Sequence, residues 1–220
     1  MTLPIGEPVE GWAPPLPPEV KPLEGRRITV TPLRAEAVDA LWEALADDDE
    51  ATWTYMGYGP FSDRAALAST VQTWLGSSDP AFYTFDVGGR AQGWGAYLRI
   101  EPTMGSIEVG HLVFGPGLRR TEAATEAMYL MARHAFESGY RRFEWKCDAL
   151  NARSRRAAER LGFTYEGTFR QHMVYKGRNR DTAWYSMIDS EWPARRHRLE
   201  AWLDPANFDT EGRQRRRLAD

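Results

Sequence analysis

The chain has 220 residues, of which 42% are hydrophobic, so it can build one substantial core and at most two small domains. Its formal net charge of −3 argues against a molecule built as a whole to bind polyanions, and we expect no specific nucleic-acid partner. The single cysteine excludes a disulfide within the chain, and the four scattered histidines lack zinc-ligand spacing, so we expect a reducing, cytoplasmic compartment and no metal.

Residues 1–25 are predicted to be a proline-rich extension, because seven of the 14 prolines fall within the first 22 residues. Proline has no backbone N–H and fixes φ, so this stretch is expected to be extended or disordered rather than a core element. It has neither the basic start nor the apolar stretch of a secretory signal. No apolar run approaches the roughly 18 residues that span a bilayer, and we expect no membrane partner.

After this extension, hydrophobic periodicity predicts one strand, two helices and then three antiparallel strands. Ser62 and Asp63 can cap the second helix, and Gly88–Gly89 marks a hairpin turn. The predicted elements are a strand over 27–32, a helix over 35–45, a helix from 62–63 to about 75, and strands over 83–87, 91–100 and 107–114.

The order of elements changes after the turn at Gly115-Pro116-Gly117, and helices then alternate with strands. The predicted elements are a helix over 122–138, a strand over 143–147, a helix over 151–161, strands over 163–175 and 182–188, and a short helix over 194–203. Together they predict an α/β (α+β) domain over 26–192, with a mixed six- to seven-stranded, mostly antiparallel sheet and helices on both faces. A charged tail over 193–220 follows.

The junction between strand 107–114 and the helix from Glu122 can bind an anion. A helix start presents free backbone N–H groups and a partial positive charge, which together attract phosphate. The segment GPGLRRTEAATEA adds two arginines, and its small residues let a bulky group approach the backbone. The segment matches neither GxxxxGK[ST] nor GxGxxG, so a common nucleotide-binding loop is not indicated. The alternative to an anion site is a plain strand-turn-helix joint with a capped helix.

Four short motifs occur in a fixed order: Arg119-x-x-Glu122-x-Ala124, Asn151-x-x-Ser154, Leu161-Gly162-Phe163 and Glu166-Gly167. In this order, and over roughly residues 25–192, the sequence resembles the GNAT superfamily of N-acetyltransferases, specifically the RimJ/RimL-type branch. The resemblance implies the GNAT fold and direct transfer, in a ternary complex, of an acetyl group from acetyl-CoA to a primary amine. Succinyl-CoA or another short acyl-CoA is an alternative donor. The amine is implied to belong to a protein N-terminus or a small molecule, with homodimer formation left open.

The resemblance also implies where the acyl-CoA binds. The end of strand 107–114 is implied to pair with the pantetheine arm and to offer a backbone N–H to the thioester oxygen, while the following junction holds the pyrophosphate. The family has glycine where Glu122 stands, and a carboxylate there is unfavourable unless it points away or pairs with Arg119 or Arg120. The implied cofactor-binding residues are His111, Leu112, Val113, Phe114, Arg119, Arg120, Thr121, Glu122, Ala123, Ala124, Thr125, Asn151 and Ser154.

Acyl transfer also needs an acid that returns a proton to the leaving thiolate. By the resemblance, Ser154 is this acid and Asn151 bonds the pantetheine arm. A plain helix cap explains the same two residues, and the two interpretations are compatible.

The base that takes a proton from the amine has three candidates: Glu108, His172 and His111. The alternatives are a cross-strand salt bridge for Glu108 and a half-buried, hydrogen-bonded role for each histidine. Strand alternation places Glu108, Gly110 and Leu112 on one face and His111 on the other, unless a bulge re-aims one of them.

Two other functional classes remain open at this point. A non-catalytic CoA-binding or partner-binding module could retain the same fold, and Glu122 together with the unassigned base supports it. RNA or ribosome binding through the arginine-rich segment GRQRRRL is a third hypothesis, and it predicts a steep dependence of binding on salt.

Overall fold

The computed structural model describes residues 3–46 and 48–218, so the ends of both predicted extensions, residues 1–2 and 219–220, lie outside the described residues. The strands are β1 (Leu23–Glu24), β2 (Thr29–Pro32), β3 (Ala81–Val87), β4 (Arg90–Glu101), β5 (Ser106–Phe114), β6 (Arg142–Asp148), β7 (Thr164–Tyr175) and β8 (Arg178–Ile188). The helices are α1 (Val38–Ala44), α2 (Arg64–Trp74), α3 (Glu122–Glu137), α4 (Ala152–Leu161) and α5 (Trp192–Leu203), with short 3-10 turns at 35–37, 50–53 and 205–207.

The strands form one sheet in the order β1-β2-β3-β4-β5-β6-β8-β7. Neighbouring strands are antiparallel except β5 and β6, which run parallel and are joined by α3. The predicted class, a mixed and mostly antiparallel sheet with helices on both faces, is confirmed. The predicted number of strands was one too low, because the two-residue β1 that pairs with β2 follows the proline-rich stretch and has no periodicity of its own.

The helices cover the two faces of the sheet unequally. One face, here the α3 face, carries a core that includes Tyr97, Val109 and Phe143 and packs against α3, α4 and α5. The opposite α1 face carries a smaller core, including Phe82 and Trp94, against α1 and α2. The smaller core reaches only strands β3 to β5, which leaves the α1 face of β6, β8 and β7 without a covering helix among the described residues.

Strands β5 and β6 pair over only part of their length. Their register runs from Ser106–Arg142 to Val109–Trp145, while β5 continues to Phe114 and β6 to Asp148. A gap therefore opens between the carboxyl ends of the two strands. The junction that leads into α3 lies at the same end of the sheet, directly after β5.

The two extensions pack on the domain. Residues 3–22 lie outside any helix or strand, Pro18 is buried, and the Arg141 guanidinium lies 5.7 Å from the ring centre of Trp12. Helix α5 buries Trp202 and Leu203 in the larger core. Within the described part of the chain, no helix has the length and apolar character needed to cross a membrane, and no three His, Cys, Asp or Glu side chains cluster as a metal site would require.

Candidate active site

Strand β5 carries a bulge at His111. The β4–β5 register runs from Trp94–Val113 to Ala96–Gly110, so β5 has one residue more than β4 between these pairs. His111 takes the left-handed conformation with a φ of 53°, which is uncommon for a residue other than glycine. The extra residue breaks the alternation of faces along β5 at this point.

The faces predicted for His111 and Leu112 are therefore wrong, and the bulge is the physical reason. The His111 ring stacks on Tyr58 on the α1 face, with ring centres 5.7 Å apart and an interplanar angle of 7°. Leu112 instead packs on the core of the α3 face. Glu108, which alternates with the α3-face residues Ile107 and Val109, thus shares the α1 face with His111.

The surroundings of His111 favour its neutral form. Its Nδ1 lies 3.4 Å from the Tyr58 hydroxyl, which accepts a hydrogen bond from Trp94 Nε1. Burial, and then the nearby charge of Lys146, lower the pKa of His111.

Glu108 is a buried carboxyl with two cationic neighbours. Only 1% of the residue is exposed, and its Oε2 lies 3.1 Å from Lys146 Nζ and 3.5 Å from Arg99 Nε. Burial outweighs the attraction of these cations and raises the pKa of Glu108 to about 7. At neutral pH this carboxyl can therefore both accept and release a proton.

Polar and aromatic side chains cluster around Glu108 on the α1 face. This cluster, here called the polar cleft, consists of Arg99, Glu108, Lys146, His172 and Trp184. The Arg99 guanidinium and the Lys146 ammonium lie 4.9 and 5.3 Å from the ring centre of Trp184. His172 follows on the far side of Trp184, with ring centres 6.0 Å apart. Four of these residues come from strands β4, β5, β6 and β8, while His172 comes from the edge strand β7.

His172 lies at the rim of this cleft. It is exposed and its Nδ1 lies 3.0 Å from Thr182 Oγ1. Desolvation, followed by the cations Lys146, Arg180 and Arg99, lowers the pKa of His172. His172 contacts Thr182 and Trp184, whereas Glu108 contacts Lys146 and Arg99, and no hydrogen bond joins the two candidate bases among the described residues.

The junction before α3 has the backbone arrangement of an anion site. Thr121 is the N-cap, and its Oγ1 accepts a hydrogen bond from the Ala124 N–H at 3.1 Å. The N–H groups of Glu122 and Ala123, in the first turn, can have no intrahelical partner. Arg120 is exposed and left-handed, with a φ of 63°. This geometry suits a phosphate group at the start of a 16-residue helix.

The side chain of Arg119 turns into the protein rather than toward the helix start. Its Nε donates to the Phe114 carbonyl at 2.7 Å, and its Nη2 donates to Asp48 Oδ2 at 2.6 Å and to Thr52 Oγ1 at 2.8 Å. The Asp48 side chain is only 2% exposed. Arg119 thus ties the junction to the segment that follows α1, and its backbone rather than its guanidinium is available to a phosphate.

The Glu122 carboxylate is drawn away from the helix start by arginines that sequence reasoning missed. It pairs with Arg26 and lies 3.4 Å from Arg27 Nε, both in the loop before β2. One turn later, Glu126 accepts the backbone N–H groups of Arg26 and Arg27 at 2.7 Å each. The expected alternatives for Glu122, pairing with Arg119 or Arg120, do not occur. The sequence carried a partial signal, two glutamates four residues apart, but nothing in it linked them to residues about 100 positions earlier.

Asn151 and Ser154 form the predicted cap. Asn151 Oδ1 accepts the Ser154 N–H at 3.0 Å, and Ser154 Oγ accepts Trp145 Nε1–H at 3.0 Å. Trp145 belongs to the core of the α3 face, so Ser154 and Glu108 lie on opposite faces of the sheet. The gap between β5 and β6 is where groups from both faces can meet.

An aromatic segment after α1, residues 53–61, extends toward the β6 side of the molecule. The Tyr55 hydroxyl donates to the Leu150 carbonyl at 3.2 Å, and Lys176 Nζ donates to the carbonyls of Trp53 at 2.8 Å and Gly59 at 3.2 Å. These contacts tie the segment to the loop after β6 and to the β7–β8 turn. They hold the segment near the end of the sheet where β5 and β6 separate.

Comparison with known proteins identifies the domain type. Residues 27–164 match the family model "Acetyltransferase (GNAT) domain". A GCN5-related N-acetyltransferase from Brucella melitensis is 44% identical over 96% of this chain and 97% of its own, with a TM-score of 0.93. A probable acetyltransferase of the GNAT family from Chromobacterium violaceum is 40% identical over 88% and 98%, with a TM-score of 0.81. RimL, a ribosomal L7/L12 α-N-protein acetyltransferase, is 18% identical over 77% and 94% at a TM-score of 0.68 and shows the fold alone. Among curated proteins, none matches the sequence.

Proposed function

This chain belongs to the GNAT acetyltransferase family, and from that premise we propose that it transfers an acetyl group from acetyl-CoA to a primary amine. Succinyl-CoA or another short acyl-CoA is the alternative donor. The acceptor is a small molecule or a protein N-terminus, and reaction occurs by direct attack of the amine in a ternary complex. We also propose that the protein works in the cytoplasm and belongs to the RimJ/RimL-type branch, for which the shared fold with RimL is the support.

The observation that carries the proposal is the position and acidity of Glu108. It is a buried carboxyl with a pKa of about 7, three residues before the bulge of β5 and beside the gap between β5 and β6. An amine is unreactive while protonated, with an ordinary pKa of about 10. Glu108 is proposed to take the amine proton, directly or through a water molecule. His111 and His172 are the alternative bases.

The residues around the gap fit an acyl-CoA. The backbone of His111, Leu112, Val113 and Phe114 lies beyond the β5–β6 ladder and can pair with an extended chain such as pantetheine. Acyl-CoA supplies the thioester carbonyl that the amine attacks. Backbone N–H groups of β5 are proposed to stabilise the oxyanion. Ser154 is proposed to protonate the leaving thiolate, and Asn151 to bond the pantetheine arm.

The junction from Arg119 to Thr125 is proposed to hold the pyrophosphate through backbone N–H groups. Thr121 shapes the turn, Glu122 and Ala123 offer the free N–H groups, and Ala124 and Thr125 leave room for the phosphates. The exposed guanidinium of Arg120 adds positive charge. Because Arg26 and Arg27 neutralise the Glu122 carboxylate, the glycine-to-glutamate difference does not by itself block the site.

Two measurements test the proposal. Calorimetric titration with acetyl-CoA reports binding, and thiol release with a panel of amines reports turnover. We expect micromolar binding or tighter, together with amine-dependent release of CoA. Binding without turnover across a broad panel would instead favour a non-catalytic CoA-binding module, and absence of binding would refute both functions.

A further inference from the structure

We propose that the polar cleft selects an acceptor amine whose carbon skeleton also carries an oxyanion, such as a carboxylate or a phosphonate. This inference rests on the proposed function and specifies its acceptor. The expected acceptor class is therefore amino-acid-like rather than a simple alkylamine.

The polar cleft carries an excess of positive charge. Arg99 and Lys146 both lie against the same ring, that of Trp184, and both approach the one carboxyl of Glu108. Two cations thus face a single carboxyl, so one positive charge remains when Glu108 is ionised and two remain when it is protonated. An anionic group in the acceptor compensates this excess.

The carboxylates that border the cleft are already bound elsewhere. Glu144 lies 2.6 Å from Arg142 Nε, on the same strand β6. Asp148 Oδ2 accepts the Tyr175 hydroxyl at 2.9 Å and its Oδ1 accepts the Leu150 N–H at 2.8 Å. Asp79 accepts the backbone N–H groups of Arg99 and Ile100 at 2.9 and 3.1 Å. Among the described residues, Glu108 is the one carboxylate that forms an ion pair with the side chain of Arg99 or Lys146.

The polar cleft also contains a buried hydrogen-bond donor without an acceptor among the described residues. Trp184 is 8% exposed, and its Nε1–H has no hydrogen-bond partner among the described residues. An indole N–H buried without an acceptor is unfavourable, and an incoming oxyanion can satisfy it. The Arg99 side chain, which is half exposed, lies over the ring of Trp184.

The strands place these groups in a fixed order. Leu98 of β4 pairs with Glu108 of β5, and a bulge just beyond Leu98 gives Arg99 a φ of 49° and aims it at the cleft. Arg99 therefore lies beside Glu108, while His111 and the acyl-transfer gap follow further along β5 toward its carboxyl end. An amine at Glu108 can keep its oxyanion within reach of Arg99 and Trp184.

Calorimetric binding of product analogues tests this inference without acyl-CoA and without turnover. The probes are N-acetylglycine, N-acetylaminomethylphosphonate and the uncharged N-acetylglycinamide. At pH 6, about nine-tenths of Glu108 is protonated in the wild type, and removal of Arg99 raises its pKa further, so its charge is nearly constant across the series. We expect both anions to bind at least about tenfold more tightly than the amide.

Single substitutions identify the residues that favour the anionic probes over the amide. Arg99→Gln should remove most of this preference, and so should Trp184→Phe, which keeps an aromatic ring. Arg90→Gln is the control, because Arg90 lies on the same strand but pairs with Glu43 at the surface. Equal affinities for charged and uncharged probes, binding of none of them, or a preference that survives both cleft variants would overturn the inference. A difference between the two anions identifies the oxyanion. Acetyl-CoA titrated into the same samples tests the proposed function separately.

Discussion

Replacement of Glu108 by glutamine tests the proposed base directly. The amide has nearly the same size as the carboxyl but cannot accept the amine proton, while the cap at Asn151 and the junction before α3 remain intact. We expect kcat to fall by about 10² to 10⁴, the usual contribution of a general base, with little change in the Kd for acetyl-CoA.

The pH dependence makes this prediction specific. With a pKa of about 7, about a tenth of Glu108 is ionised at pH 6 and about nine-tenths at pH 8, so kcat should rise nearly tenfold between these values. A glutamate with its ordinary pKa of 4.5 would be ionised throughout and give no such rise. A discontinuous assay of CoA release at saturating substrate concentrations gives kcat for the ternary complex. The rise of kcat with pH should vanish in Glu108→Gln.

Lys146 supplies the complementary test. Its ammonium holds the pKa of Glu108 down, so Lys146→Met should shift the rise in kcat to higher pH by about one unit. Arg90→Gln is again the control and should leave the pH dependence of kcat unchanged. A rise near pH 7 that persists in Glu108→Gln, or one that does not move in Lys146→Met, would show that another group titrates.

Three further predictions concern the proposed acyl-CoA site. Arg119→Gln leaves the buried Asp48 carboxylate unpaired, which costs about 2 kcal/mol and, at about 3 °C per kcal/mol, should lower Tm by about 6 °C in scanning fluorimetry. Arg120→Gln should instead weaken acetyl-CoA binding, measured by calorimetry, at unchanged Tm. Ser154→Ala should reduce kcat more than it changes the Kd for acetyl-CoA, and an unchanged kcat would remove its role as the acid. Arg26→Ala should weaken acetyl-CoA binding about tenfold, because the unpaired Glu122 carboxylate then repels the phosphates. The double variant Arg26→Ala/Glu122→Gln should restore binding. If it binds acetyl-CoA no better than Arg26→Ala, repulsion by Glu122 is not the cause.

Local patterns in the sequence were sufficient for most of the fold. The caps at Asp63, Thr121 and Asn151 accept hydrogen bonds from the starts of α2, α3 and α4, and side chains that can accept such bonds are visible in the sequence. Gly162 ends α4 with a left-handed φ of 104°, as its position after an amphipathic run predicts.

The candidate site was harder to predict because its key relations are not local. The pairs Arg26–Glu122 and Asp48–Arg119 join residues 96 and 71 positions apart, and a single sequence carries no information on such contacts. The bulge at His111 was equally hidden, since neither His111 nor its neighbours differ from an ordinary strand in composition. One added residue was enough to exchange the faces of His111 and Leu112.

Strained backbone gathers around the polar cleft and the junction before α3. In the described residues, five that are not glycine have positive φ: Arg99, His111, Arg120, Gln171 and Lys176. Such conformations cost about 1 kcal/mol or more each, and they persist only where the surrounding structure enforces them. Three of the five lie at register shifts of β4, β5 and β7 that border the cleft, one precedes the capped start of α3, and one places the Lys176 ammonium on the aromatic segment. The sheet that forms the stable core thus departs from regular strand pairing beside the polar cleft. Because strained residues and register shifts occur together there, the backbone supports a functional site independently of the identity of any one side chain.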